Sequence, residues 1–146
     1  MEFGLNEEQK MVVETVRSFV ENEIYPLENQ IEKLGVVPDE IGQDIKNKVK
    51  DLGFFAPNMP VEVGGGGLDN LTFALLEREL GRGSQGLTIF WGRPSNILMA
   101  CNKDQREEYL YPAIKGDKFD ALAMTEPSAG SDVRGMKCFA QRDGGD

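Results

Sequence analysis

The sequence predicts a mainly α protein. An up-and-down helical unit covers residues 1–118, and the opening strands of a β unit cover residues 119–146. Three observations carry this reading. Apolar residues recur at three- and four-residue steps through most of the first hundred positions. Capping residues and glycines stand at the ends of those stretches. After Gly116 the pattern changes to short, partly alternating apolar stretches between turn residues.

The first helix starts at Asn6, which has capping-box spacing to Gln9, with Glu7 and Glu8 where a helix dipole favours negative charge. Val12, Val13, Val16, Phe19, Val20 and Ile24 form its apolar stripe, and Pro26 is expected to end it. Pro38 and Asp39 open a second helix, with Ile41, Ile45, Val49 and Leu52 as its stripe and Gly53 as its stop. Residues 54–67 hold two prolines and four consecutive glycines, so they read as a loop with room for a short irregular turn. No Lys-Ser/Thr follows the glycines, which excludes a P-loop and favours a plain connector.

Asp69 and Asn70 cap a third helix that carries Leu71, Phe73, Leu75, Leu76 and Leu80 and closes at Gly81. Residues 86–101 are apolar on nearly all sides, the pattern of a buried helix, with a bend or break at Pro94. Asn102 and Gln105 repeat the capping spacing, and the helix they start is expected to stop by Pro112. Residues 119–125 (FDALAMT) and 136–141 (MKCFAQ) read as strands, EPSAGSD as a turn between them, and residues 143–146 (DGGD) as the start of a hairpin turn.

Composition excludes several function classes. The chain has 146 residues, 16 basic and 25 acidic, with a formal charge of −9 and no histidine. Without histidine there is no Ser-His-Asp or Cys-His nucleophile and no HExxH zinc site. The acidic balance argues against nucleic acid, whose phosphates need a basic footprint. Seven of the acids and two of the bases fall in residues 1–30, which reads as a solvated helix face. Cys101 and Cys138 are too few and too far apart for a metal knuckle or a disulfide framework. They read as small core residues in a reducing compartment. No apolar run approaches membrane-spanning length, and the N-terminus lacks the pattern of a signal peptide, so a cytoplasmic location is expected.

The stretch that carries chemistry is Ala123-Met124-Thr125-Glu126-Pro127-Ser128-Ala129-Gly130-Ser131-Asp132-Val133-Arg134-Gly135. It places a hydroxyl at the end of an apolar strand, then small residues around Gly130 that allow main-chain N–H groups to approach a ligand closely. From residue types alone, an ordinary polar turn remains open. The whole pattern resembles the signature of the acyl-CoA dehydrogenase family. That signature runs small, aliphatic, Ser/Thr, Glu, two variable positions, small, Gly, Ser/Thr, Asp, and a small residue three positions on. PVEVGGGGLDN, RELGRGSQG and NKDQREEYLYPAIKGD resemble other elements of the family in order and spacing, so the likeness covers nearly the whole chain.

The resemblance implies a helical N-terminal domain of acyl-CoA dehydrogenase type followed by the first strands of a β-barrel domain. It also implies FAD as cofactor and α,β-dehydrogenation of an acyl-CoA thioester with hydride transfer to flavin N5. Leu122, Met124 and Thr125 are implied to lie against the flavin ring. Gly130 and Ser131 are implied to approach the FAD phosphates, and Ser131 also to reach the CoA part of the substrate. The family's catalytic base comes from a later bundle, so no catalytic residue is expected here and the chain alone is expected to be inactive. Glu126 and Asp132 are given turn and cap roles. An electron-transfer acceptor and a homotetrameric full-length parent are implied as partners. Two alternatives stand beside this reading. One is the same fold with acyl-CoA oxidase or flavin monooxygenase chemistry, and the other is a free-standing helical interaction module without cofactor. Phe90 and Trp91 read as core, Arg93 as a surface or helix-end charge, and Tyr109 and Tyr111 as packing residues at a helix end.

Overall fold

The computed structural model describes residues 4–144. Its helices are α1 (Glu7–Phe19), α2 (Tyr25–Leu34), α3 (Asp39–Asp51), α4 (Asn70–Leu80), α5 (Gln85–Thr88), α6 (Lys103–Gln105) and α7 (Tyr111–Lys115). Both expected capping boxes form, with Gln9 N–H donating to Asn6 Oδ1 at 2.8 Å and Gln105 N–H donating to Asn102 Oδ1 at 2.9 Å. At the start of α4, Asp69 accepts the N–H groups of Leu71 and Thr72 and the Thr72 hydroxyl. These bonds satisfy donors that a helix start leaves orphaned, and they hold the Asp69 carboxyl below its usual range.

The apolar stripes meet as expected. Val12, Val16, Phe19, Val20 and Ile24 pack with Ile45 and Val49 of α3 and with Leu76 and Leu80 of α4 around Trp91. Trp91 has Phe19 edge-on at 5.1 Å and Phe54 stacked at 6.0 Å. A smaller cluster gathers Ala56, Met59, Val63, Leu110 and Ile114 under α7. Glu79 of α4 is buried, with its side chain 3% exposed, and it binds Arg17 of α1 through two hydrogen bonds at 3.0 and 3.2 Å. Arg78 and Arg82 complete its shell. The Arg17 guanidinium, partly offset by burial and helped by the other two, pulls the Glu79 carboxyl down to about 2.

Two helices run on through prolines expected to end them. The chain stays helical from Glu7 to Leu34 and from Lys103 to Lys115, and in each case a π turn precedes the proline. Val20–Ile24 comes before Pro26, with Tyr25 N–H donating to Val20 C=O. Arg106–Leu110 comes before Pro112, with Tyr111 N–H donating to Arg106 C=O. The wider turn separates the proline ring from the carbonyl four residues back, which is the clash that breaks a regular helix. Pro112 also leaves the Glu108 carbonyl without its helical donor, and Lys118 Nζ donates to it at 2.8 Å.

Residues 86–101 are not one buried helix. They divide into α5, a 3-10 turn at Ile89–Trp91 and a second at Asn96–Ala100, which has no buried residue. The break falls at Gly92, whose φ of +63° turns the chain before Pro94. The loop at 54–67 is a connector, with one 3-10 turn at Val61–Val63. Its glycine N–H groups are used internally, with Gly65 donating to Pro60 C=O and Gly66 to Ala56 C=O, both at 3.0 Å. A Cβ on Gly65 would overlap the Met59 main chain, so close packing of the strap requires that glycine.

The strands expected at 119–125 and 136–141 do not form among the described residues, which hold only an isolated bridge between Glu126 and Ala129. A strand needs a neighbour for its main-chain groups, and neither segment lies beside one. Leu122 and Phe139 are 63% and 83% exposed. The hairpin turn expected at 143–146 lies partly outside the described residues. Cys138 is exposed and Cys101 half-buried, so neither is the core residue expected, and both are free thiols. No helix among the described residues is long and apolar enough to cross a membrane.

Candidate functional site

The signature segment leaves the helical body at Gly116, whose left-handed φ of +78° ends α7. Three contacts then guide it across the body. Lys118 is held on the Glu108 carbonyl, Lys46 Nζ lies 5.3 Å from the centre of the Phe119 ring, and Asp120 Oδ2 accepts Ser95 N–H at 3.1 Å. Lys46 itself donates to Gly116 C=O at 2.8 Å, so a buried ammonium fixes the exit turn. Between this strap and the Gly92–Ser95 turn lies a crevice of about 350 Å³. Phe55, Ile89, Pro94 and Leu122 give it apolar walls, and its charged lining residues are Arg93, Lys118 and Asp120.

Past Asp120, residues 121–125 run exposed and outside any ladder, and the chain closes into a tight turn. Glu126 N–H donates to Ala129 C=O at 3.0 Å, and Ala129 N–H donates back at 3.1 Å. The Glu126 carboxylate accepts the N–H groups of Lys137 and Cys138 at 2.8 and 2.9 Å. The Cys138 thiol and these two N–H groups hold its carboxyl below the usual range. A carboxylate stabilised as the anion is a weak base, which agrees with the turn role expected for Glu126. Asp132 opens the 3-10 turn at Val133–Gly135 with no side-chain cap bond, and main-chain bonds close that turn instead.

Of the five expected cofactor-facing residues, Leu122 lines the crevice. Met124 and Thr125 are exposed on the stretch after it, and Gly130 and Ser131 are exposed beyond the turn. A Cβ built on Gly130 meets nothing within 4 Å, so this backbone is open to close approach. Unladdered main chain, apolar side chains, one hydroxyl and an open glycine together fit a flat apolar ring with a polar edge. That donor set fits a flavin.

Trp91 is core, as expected, and Phe90 packs half-buried against the same cluster. Tyr111, the first residue of α7, packs half-buried against the smaller cluster, while Tyr109 lies exposed beneath Lys118. Arg93 is not a free surface charge, because it is hydrogen-bonded and ion-paired to Glu77 of α4. Sequence reasoning missed this pair, since a contact sixteen residues apart across a loop has no periodic signal. It also missed Lys118 and Asp120. Lys118 had a readable signal, because Pro112 orphans a carbonyl and a lysine follows within reach.

The described residues form a capped helical body that ends in an open Thr-Glu…Gly-Ser-Asp turn, the helical N-terminal domain that the comparisons match. The chain belongs to the acyl-CoA dehydrogenase family, whose N-terminal domain matches residues 6–117. It is 35% identical over 146 residues to the mitochondrial isovaleryl-CoA dehydrogenase of Bos taurus, covering 97% of this chain and 34% of that protein. It is 34% identical over 143 residues to a 3-(aryl)acrylate reductase of Clostridium sporogenes, covering 94% of this chain and 37% of that protein. Among solved structures it is similar to a glutaryl-CoA dehydrogenase from Mycobacterium smegmatis in complex with FADH2. That likeness has a TM-score of 0.74 at 26% identity and covers 96% of this chain and 36% of that one. The chain therefore spans about a third of the length of these relatives.

Proposed function

We propose that these residues form the N-terminal part of an FAD-dependent acyl-CoA dehydrogenase. Residues 1–118 act as its helical domain, and residues 119–146 begin a β-barrel domain. The observation that carries this is the open turn itself, an exposed Leu122–Thr125 stretch followed by an unobstructed Gly130. FAD, when bound, supplies the acceptor for hydride from the acyl β-carbon. Leu122 and Met124 would give its ring an apolar face. The main chain of Met124 and Thr125, with the Thr125 hydroxyl, would donate to and accept from its polar edge. Gly130 and Ser131 would receive phosphate, and Ser131 would also hold the CoA part of the substrate. Glu126, pinned by two N–H groups, orders the turn and takes no proton. The base that removes the α-proton lies outside these residues, so the 146-residue chain by itself is inactive.

The acyl-CoA substrate, an electron-transfer acceptor and a homotetrameric parent belong to the same reading. The two free thiols support a reducing compartment, for which we assign the cytoplasm. Fold does not fix the direction of the reaction, because one relative is named a dehydrogenase and another a reductase. A dye-linked acyl-CoA oxidation assay tests the proposal. The complete gene product is expected to reduce the dye, and residues 1–146 alone are expected to give no turnover. Turnover by the 146-residue chain would overturn the placement of the base. Oxygen consumption in place of dye reduction would point to an oxidase or a monooxygenase.

A further inference from the structure

Phe55 lines two cavities at once. On one side is the crevice of about 350 Å³ beside the Gly92–Ser95 turn. On the other is a depression of about 430 Å³ between α3, α7 and the Gly64–Gly66 loop, with Val63, Tyr111 and Ile114 in its walls. No other residue lines both, so the Phe55 ring is the partition. Main chain clamps that ring from two sides. A Cβ on Gly92 would overlap it, and one on Gly116 would come within 2.7 Å of its Cζ. Both glycines hold left-handed φ, +63° and +78°. From the depression side, Lys50 Nζ lies 5.2 Å from the ring centre. The next residue, Ala56, has φ of +50°, and it is the one non-glycine with positive φ among the described residues. Its N–H donates to Gly92 C=O at 2.9 Å. A strained backbone persists where its surroundings over-determine it, and here it holds the neighbouring ring against the crevice turn.

The charged groups of the crevice are already committed within the chain. Arg93 is paired with Glu77, Lys118 is held on the Glu108 carbonyl, and Asp120 accepts Ser95 N–H. What they leave for contact beside the Phe55 ring is the apolar lining of Ile89, Pro94, Ala113 and Leu122. Val63, Tyr111 and Ile114 continue that apolar lining on the far side of the ring. Such a lining selects an apolar chain over a charged ligand.

We propose that Phe55 is a specificity-determining residue, a stop that ends the crevice and limits the length of the unbranched aliphatic chain it takes. The identity of that chain as the tail of an acyl group rests on the function proposed above. A smaller side chain at position 55 joins the crevice to the depression. A longer chain then runs on between Gly92 and Gly116 to Tyr111 and Ile114.

Titration of the 146-residue chain with straight-chain primary alcohols, butanol to decanol, tests the stop, with amide chemical shifts as the readout. In the parent, affinity is expected to rise about fourfold per methylene and to level off before decanol. In Phe55→Ala it is expected to level off at least about two methylenes later, so that decanol binds at least about tenfold more tightly than to the parent. New shifts are expected at Tyr111 and Ile114 in that variant. Phe55→Leu keeps most of the apolar packing and is expected to fall between the two, with Ile97→Ala, at an exposed site lining neither cavity, like the parent. Circular dichroism checks that each variant is folded. No binding by the parent, affinity that climbs through decanol in the parent, or one levelling point shared by the parent, Phe55→Ala and Phe55→Leu would overturn the stop. The alcohols carry no thioester, so a failed acyl-CoA oxidation assay beside the expected titrations would remove the acyl reading and leave the stop in place.

Discussion

Trp91→Ala is expected to lower the unfolding free energy by about 3–5 kcal/mol, read as a drop in urea midpoint at unchanged slope. Trp91 is fully buried, and its ring joins Phe19 of α1 to Phe54 beyond α3. Alanine leaves a cavity that three separate segments line, so the site has little freedom to collapse. The loss reaches the crevice as well. The next residue, Gly92, gives its carbonyl to Ala56 N–H at 2.9 Å, and that turn forms one wall. Trp91→Phe separates ring packing from the indole N–H. The Nε1 atom is buried without a partner, so phenylalanine removes an unsatisfied donor along with some volume. It is expected to cost less than half as much as alanine.

Glu79→Gln is expected to cost about 2–3 kcal/mol at neutral pH. Removing one partner of a buried ion pair costs about 3–5 kcal/mol when both charges are enclosed. Here Glu79 is enclosed, but Arg17, Arg78 and Arg82 reach water with side chains 44%, 57% and 38% exposed, so the cost is smaller. The pH dependence has a definite sign. The carboxyl is held at about 2 in the folded state against an ordinary value of 4.5. Its contribution is therefore complete above 4.5 and is lost as pH falls from there toward 2. Urea midpoints of the parent and Glu79→Gln are expected to differ most near neutrality and to converge across that acid window. A constant difference down to about pH 2 would contradict the role given to the Arg17 pair.

Helix starts were legible in the sequence because each is set by residues within one turn. Asn6, Asp69 and Asn102 cap where their spacing said they would. Helix ends at Pro26 and Pro112 were misread. A proline does block a regular helix, but a π turn one step earlier relieves the clash, and no local residue type announces that turn. The buried-helix reading of residues 86–101 failed for a related reason. Apolar content does not distinguish a continuous helix from two 3-10 turns separated by Gly92 and Pro94, and Ile89 and Ile97 face outward. The strands at 119–125 and 136–141 have the right residues but no neighbour, and pairing is a property of two segments. The signature turn was legible as a pattern, and its openness at Gly130 emerged only in three dimensions. The Arg93–Glu77 pair and the Asp120–Ser95 tie depend on long-range folding and left no trace in the spacing.

The flavin-facing role proposed for Leu122, Met124, Thr125, Gly130 and Ser131 is tested most directly by flavin retention in a protein that joins residues 1–146 to the later domains of the family. The visible spectrum is recorded after gel filtration for the parent and for Gly130→Val. The valine fills the space that is empty around Gly130, at an exposed position where the helical body does not depend on it. The expected result is bound flavin in the parent and its loss in Gly130→Val, with unchanged helical circular dichroism. A parent without flavin, or a variant that holds flavin as tightly as the parent, would contradict it.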